Sequence, residues 1–168
     1  MGPKTHVRRA VPADIAAIMR MKRAMMALDG LADFPLTGEA QLLRDVFGPE
    51  PIYSVVVADD GHAVVGMAIY SEKRVTGCAE PIAFLQDLFV EETRRLQGIG
   101  WSLVRRVAAD ARARGMEMFE LNVRADNPAC GFYRRIGFAH LVQCHTYKSD
   151  IPNLDLVAEH ARQRAAAM

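Results

Sequence analysis

The spacing of apolar residues changes near Tyr53 and predicts different secondary structures on either side of it. Before it, Ile15, Ile18 and Met19 recur at helical spacing. After it, residues 53–58 form a β-branched, apolar run that is typical of a strand. Up to residue 70 the predicted elements are a strand at 6–11, helices at 12–30 and 37–47, and a hairpin. The hairpin has strands at 53–58 and 63–70, joined by the turn Asp59-Asp60-Gly61-His62.

The second half of the sequence alternates between strand and helix patterns. An apolar run at residues 81–90 predicts a strand. A long helix is predicted from Gly98 to Arg114, and Gly115 ends it. The later predicted elements are a strand at 118–123, a short helix at 128–136, a strand at 138–147 and a C-terminal helix at 153–164. This βααβββαβαβ order with a helical tail predicts one mixed α/β (α+β) domain over residues 1–168.

Composition narrows the range of functions. The 168 residues are 51% hydrophobic and 24% charged, as in a soluble globular protein. The formal net charge of +1 gives no general basis for binding nucleic acid or an anionic membrane. The three cysteines have neither metal nor redox spacing, and no apolar run has the length of a signal peptide or a membrane span. We therefore expect a cytoplasmic protein that uses no metal and binds neither nucleic acid nor membrane.

The turn Arg95-Leu96-Gln97-Gly98-Ile99-Gly100 joins the predicted strand at 81–90 to the long helix. The first N–H groups of a helix lack intrahelical partners and can bind an anion. Gly98 and Gly100 let a ligand approach the backbone closely, and Arg95 adds a fixed positive charge. The pattern also fits a helix that merely begins with glycines.

Two well-known phosphate motifs fit this turn poorly. A dinucleotide-binding fingerprint needs a third glycine three residues after Gly100, where Leu103 stands. A P-loop needs Gly-Lys-Ser/Thr, and Trp101 follows Gly100. The turn therefore indicates a different class of phosphate ligand.

The Arg95-x-x-Gly98-x-Gly100 pattern resembles the Arg/Gln-x-x-Gly-x-Gly/Ala signature of the GCN5-related N-acetyltransferases (GNAT superfamily). Residues 85–90 resemble that family's central strand, and residues 131–138 resemble its Phe-Tyr-x-x-x-Gly-Phe element. The opening residues and the order of elements agree as well, so the resemblance covers about residues 6–148. It implies the GNAT fold, a mixed and mostly antiparallel central sheet flanked by helices.

The resemblance also implies acetyl-CoA as co-substrate, Tyr133 as the general acid over the cofactor sulfur, and a homodimer. An N–H group of Leu88 or Val90 would hold the oxyanion. Either Asp126 or Asn127 would contact the cofactor arm. The residues that the resemblance places at the cofactor are Leu88, Phe89, Val90, Arg95, Leu96, Gln97, Gly98, Ile99, Gly100, Trp101, Asp126 and Asn127.

Within the superfamily the chain most resembles the diamine acetyltransferases, of the spermidine/spermine and thialysine types. Their Leu-Thr-x-x-x-Leu-Leu-x-x-x-Phe-Gly stretch is matched by residues 36–48, although Gln86 occupies the position of their strand glutamate. Positions that would carry acceptor-binding carboxylates read Leu28, Thr76 and Gln86, and Lys73 and Arg74 would repel a polycation. We therefore expect spermidine and spermine to be poor substrates.

The general base is left open by the sequence. Candidate acceptor-binding residues are Asp29, Gln86, Asp87 and His145. Gln86 cannot ionise, and strand alternation predicts that Asp87 faces the opposite side. His145, a water held by Gln86, or an acceptor of low pKa that needs no base are the alternatives.

The leading hypothesis is acetyl transfer from acetyl-CoA to a primary amine of a small molecule. The alternatives are a diamine or polyamine acetyltransferase proper, a protein acetyltransferase, and an acyl-CoA-binding protein without catalytic activity.

Overall fold

Residues 5–141 are described by a computed structural model, in which the chain divides between Asn127 and Pro128 into two units. The first unit contains strands β1 (His6–Arg9), β2 (Ser54–Asp59), β3 (Val64–Lys73), β4 (Ile82–Val90) and β5 (Met118–Leu121), helices α1 (Ile15–Leu28), α2 (Glu39–Phe47) and α3 (Ile99–Ala113), and 3-10 turns at Pro12–Asp14 and Glu92–Arg94. The second unit contains helix α4 (Ala129–Arg135). The C-terminal helix predicted at 153–164, most of the strand predicted at 138–147, and His145 lie outside the described residues.

The elements predicted up to residue 136 are present, and several of their ends differ from the prediction: β1 ends at Arg9 and β5 at Leu121, each two residues earlier than predicted. The helix predicted at 12–30 begins with a separate 3-10 turn before α1. Helix α2 starts at Glu39, two residues after the predicted start at 37, and its N-cap residue Gly38 has no side chain with which to cap it. Strand β3 runs three residues past the predicted end, to Lys73, because Lys73 pairs with Ile82 of β4.

The five strands form one sheet in the order β1-β2-β3-β4-β5. Neighbouring strands are antiparallel except β4 and β5, which are parallel and are joined by α3 as a crossover helix. This arrangement confirms the predicted fold class, a mixed and mostly antiparallel sheet flanked by helices.

Helices α1 and α2 cover one face of the sheet. Residues on this face form cross-strand rows, of which Val57, Met67 and Phe89 make one. Ile18 and Met21 of α1 pack into the same buried cluster, so the methionine-rich helix contributes to the core of this face.

Helix α3 covers the opposite face, and Gly66 of β3 permits its close approach. A Cβ atom at Gly66 would lie 3.1 Å from the carbonyl oxygen of Phe89, 3.3 Å from Cδ1 of Leu103 and 3.4 Å from Cγ2 of Ile99. Because Ile99 begins α3, this contact also fixes the height at which the helix starts above the sheet.

Replacing Gly66 with alanine should therefore destabilise the fold by about 1–3 kcal/mol, the usual cost of overpacking a core. The carbonyl of Phe89 belongs to a paired strand and cannot move away, and Leu103 is fully buried. Chemical denaturation of the Gly66→Ala variant measures the effect. Gly77→Ala is the matched control, because a Cβ there meets nothing within 4 Å; equal stability of the two variants would contradict the packing role.

Candidate active site

Strand β4 carries a β-bulge at Gln86. Ile69 of β3 pairs with Asp87 and the next residue, Tyr70, pairs with Leu85, so Gln86 is an extra residue without its own position in the ladder. A bulge of this kind bends the strand and redirects its side chains.

The bulge places the side chains of Gln86 and Asp87 on the same face of the sheet. Nε2 of Gln86 donates a hydrogen bond to Oγ of Ser71 at 3.1 Å, while Asp87 lies opposite Ile69. Ile69 and Ser71 are two residues apart on β3 and therefore share a face. The prediction that Asp87 faces away from Gln86 is wrong, because the extra residue cancels the alternation on which it relied.

Asp87 is held in an ion pair with Lys22 of α1. Nζ of Lys22 lies 2.5 Å from Oδ2 of Asp87, and the two side chains are only 17% and 13% exposed. A carboxylate that faces the apolar α1 side of the sheet needs such a partner to offset its desolvation. Lys22 was not among the residues predicted for the site. The sequence does indicate that its side chain faces the core, because Lys22 falls at helical spacing from Ile15 and Ile18.

Beyond the bulge, the edge of β4 that faces β5 changes its pairing. The described part of β5 pairs with β4 only over Ile82–Leu85. Leu88 and Val90 pair with β3 on the other side, and both are half-buried. The two parallel strands therefore part after Leu85, which leaves the backbone edge at Leu88–Val90 in a position to pair with an extended ligand.

The predicted phosphate turn begins after the 3-10 turn that follows β4. Leu96 and Gly98 adopt left-handed backbone conformations, with φ of 61° and 78°, and α3 starts at Ile99. Leu96 is the only non-glycine residue with positive φ in the described part of the chain. Left-handed residues alternating with ordinary ones gather successive N–H groups into a concavity that binds anions. The turn thus has the backbone shape that its prediction required.

Arg95 lies against the end of β4. Its Nε donates a hydrogen bond to the carbonyl oxygen of Val90 at 3.1 Å, and its guanidinium lies 5.9 Å from the ring centroid of Phe89. The side chains of Leu96 and Gln97 are exposed, as is Trp101 in the first turn of α3, whereas Ile99 is buried. The positive charge of Arg95 is therefore positioned between the strand edge and the turn.

Asp60 of the β2–β3 hairpin anchors the segment that enters the turn. Its Oδ1 accepts hydrogen bonds from the N–H groups of His62 and Ala63, both at 3.0 Å, and its Oδ2 accepts one from Arg94. The backbone bonds from Ala63 and His62, with Arg94, hold the pKa of Asp60 below its usual range. Sequence reasoning identified Asp60 only as a turn residue, since nothing in the hairpin motif reveals its distant partner.

The two candidates for the cofactor arm differ in their surroundings. Asp126 is exposed and forms a two-pronged ion pair with Arg124, at 3.0 and 2.7 Å, which lowers the pKa of Asp126. Asn127 is half-buried, and its N–H donates to the carbonyl oxygen of Arg124 at 3.0 Å. The hydrogen bonds and charge of Asp126 raise the pKa of Arg124, and the negative charge of Asp29 at the end of α1 adds a smaller contribution. The guanidinium of Arg124 therefore interacts with the negative charges of both Asp126 and Asp29.

Tyr133 lies in the second unit, on α4. Its ring meets those of Phe132 and Phe138 edge to face, at centroid distances of 5.3 and 5.8 Å. Burial among these rings, with a smaller contribution from Cys130, raises the pKa of Tyr133 to about 12. The phenol is consequently protonated at neutral pH, but the raised pKa makes it a weaker proton donor than an ordinary tyrosine, so it would act on a thiolate first through a hydrogen bond.

Among residues 5–141, none of the helices has the length and apolar character needed to cross a membrane. The same residues contain no group of three or more histidine, cysteine, aspartate or glutamate side chains arranged to hold a metal ion.

Known proteins resemble this chain in both sequence and structure. The sequence profile of the Acetyltransferase (GNAT) family matches residues 23–138. Thialysine N-epsilon-acetyltransferase of Sus scrofa is 29% identical over 152 residues, which cover 85% of this chain and 89% of that protein. An aminoglycoside acetyltransferase from an uncultured soil metagenomic sample, solved with sisomicin, superposes with a TM-score of 0.73 at 20% identity, covering 87% of this chain and 96% of that one. AAC(6')-Iy, solved with the bisubstrate analogue CoA-S-monomethyl-acetylneamine, gives a TM-score of 0.69 at 17% identity, with 88% and 99% coverage.

The family profile spans more than half of the chain, so the protein belongs to the Acetyltransferase (GNAT) family. It is therefore an N-acetyltransferase, which confirms the family resemblance and favours the enzyme over an acyl-CoA-binding protein without catalytic activity. Its similarity to thialysine N-epsilon-acetyltransferase confirms the predicted nearest relatives.

The ion pair between Asp60 and Arg94 should restrict the motion of the segment that enters the turn. Asp60→Asn keeps an oxygen for the hairpin N–H groups but removes the charge that binds Arg94, so the amides of Arg94 and Arg95 should exchange with deuterium several-fold faster. Hydrogen exchange followed by NMR measures this. Asp59→Asn is the matched control, because Asp59 bonds Gly61 and Arg8 but not Arg94. Unchanged exchange at both amides would contradict the anchoring role of Asp60.

Proposed function

We propose that this N-acetyltransferase transfers the acetyl group of acetyl-CoA to a primary amine of a small molecule by direct attack on the thioester. One observation carries the proposal: the left-handed turn at Leu96–Gly98 is separated by one 3-10 turn from a strand whose Leu88–Val90 edge is not paired with β5 in the described residues. Coenzyme A needs both features, an anion site for its pyrophosphate and a strand edge for its extended amide-containing arm.

Different parts of the site would bind different parts of acetyl-CoA. The N–H groups of the turn and the charge of Arg95 would bind the pyrophosphate. The strand edge at Leu88–Val90 would pair with the amides of the pantetheine arm. Asn127 is better suited than Asp126 to a further contact with that arm, because the carboxylate of Asp126 is exposed and paired with Arg124.

The reaction requires deprotonation of the amine, stabilisation of an oxyanion and protonation of the leaving thiolate. The neutral amine attacks the thioester carbonyl carbon, a C–N bond forms, and negative charge develops on the carbonyl oxygen. An N–H of Leu88 or Val90 would stabilise that oxyanion. The C–S bond then breaks, the thiolate takes a proton from Tyr133, and the proton lost by the amine returns through water to the phenol.

Neither of the two polar side chains at the bulge of β4 is well suited to be the general base. Gln86 carries no charge, and the carboxylate of Asp87 is paired with Lys22. An alkyl amine with a pKa of ~10.4 is neutral in only about one molecule in a few thousand at pH 7. We therefore propose that a water held by Gln86 removes the proton or that the acceptor has a low pKa, so that kcat/KM rises with pH until the acceptor is neutral.

Gly98→Asp should abolish acetyl-CoA binding, because it puts negative charge where the turn and the start of α3 attract an anion. Isothermal titration calorimetry with acetyl-CoA measures the loss, expected to exceed about a hundredfold. Gly115→Asp is a closely matched control: Gly115 has the same φ of 78° and the same open surroundings, but it follows the other end of α3. Micromolar affinity in Gly98→Asp would refute the phosphate turn.

Tyr133→Phe should lower kcat by about one to three decades and change acetyl-CoA affinity by no more than a few-fold. Because the pKa of Tyr133 is about 12, loss of its proton should not reduce kcat at any pH well below that value. Thiol release followed against pH tests both statements. Tyr53→Phe is the control, because it removes the hydroxyl of a tyrosine that directly precedes β2 and should leave kcat unchanged. An unchanged kcat in Tyr133→Phe would contradict the role of Tyr133 as general acid.

A further inference from the structure

The surroundings of the bulge bear on which amine the enzyme accepts. The phosphate turn leads into α3 on one face of the sheet, and α1 and α2 cover the other face. Gln86 and Asp87 lie on that face, and Asp87 directly precedes Leu88 in the proposed oxyanion site.

The charges of the side chains beside the bulge cancel. Gln86 is neutral, and the negative charge of Asp87 is matched by Lys22 at 2.5 Å, with both side chains more than four-fifths buried. Lys22 belongs to α1 and approaches from above the sheet, so it also adds a steric and electrostatic cover over the carboxylate. A second ammonium group on an acceptor would find no uncompensated negative charge in this place.

Lys73 and Arg74 do not supply the repulsion that the sequence suggested. Nζ of Lys73 lies 2.6 Å from Oε1 of Glu120, and Nε of Arg74 lies 2.8 Å from Oε1 of Glu72. Both cations are therefore matched by glutamates, and they provide no excess positive charge to discriminate against a polycation.

We infer, building on the proposed acetyltransferase function, that the acceptor binds on the α1 face beside the bulge and that Lys22 determines its specificity by neutralising Asp87. The ion pair excludes acceptors with a second ammonium group and selects monoamines whose remaining part is uncharged. Lys22 acts here through Asp87, as a positioning residue that sets the charge of the acceptor site.

Hexylamine and 1,6-diaminohexane test this inference, because they differ mainly in the second ammonium group. The wild-type ratio of kcat/KM for the diamine to that for the monoamine should lie below one. Lys22→Gln keeps a hydrogen bond to Asp87 but exposes its charge, and should raise the ratio by about tenfold or more. Lys22→Arg should keep the wild-type ratio. Lys22→Gln combined with Asp87→Asn should return it to the wild-type value.

A purely structural ion pair would give a different result. Lys22→Gln would then lower the melting temperature without moving the ratio, and that outcome overturns the inference, as does a raised ratio that persists in the double variant. Lys73→Gln is the control for removing a lysine elsewhere and should leave the ratio unchanged.

A second measurement keeps the test independent of turnover and of the folding of one variant. Calorimetric titration of 1,6-diaminohexane into the CoA-bound enzyme should show at least about tenfold tighter binding to Lys22→Gln than to wild type. Asp87→Asn, which leaves the charge of Lys22 uncompensated, should weaken diamine binding several-fold. Equal affinities across wild type and both variants overturn the role of Lys22. Failure of the wild type to release thiol with any amine would instead overturn the proposed reaction.

Discussion

The extra residue in β4 is the constraint on which the candidate site depends. Without Gln86, the pairing of Ile69 with Asp87 and of Tyr70 with Leu85 could not both occur. The bulge brings an amide and a carboxylate to one face of the sheet and precedes the stretch where β4 leaves β5. The unpaired strand edge of the candidate site and the side chains beside it therefore both depend on the irregularity at Gln86.

The phosphate turn is held from two directions by contacts remote from it in sequence. Gly66 lets α3 start close to the sheet, and Asp60 fixes Arg94 at the entrance of the turn. Both residues belong to the segment made by β3 and its hairpin. The same hairpin thus supports the central strand pairing and the position of the proposed anion site, which couples the stability of the fold to the geometry of that turn.

Much of the fold followed from sequence because its signals are local. Helical spacing identified α1 and α3, and the Asp-Asp-Gly turn identified the hairpin that joins β2 and β3. The bulge could not be predicted, because residues 82–85 and 88–90 are apolar on both faces and show no alternation that an extra residue would interrupt. The pairs Lys22–Asp87 and Arg94–Asp60 were missed for another reason: they join residues far apart in sequence, which only the tertiary fold brings together.

Leu96 shows how the turn is prepared before any ligand arrives. Its backbone φ of 61° is unfavourable for a leucine, and its side chain is fully exposed, so no packing of its own rewards this conformation. The cost is met by the cooperative folding of the flanking β4 and α3. A ligand that binds the turn does not then have to order it, and the entropy that a flexible loop would lose on binding has already been lost during folding.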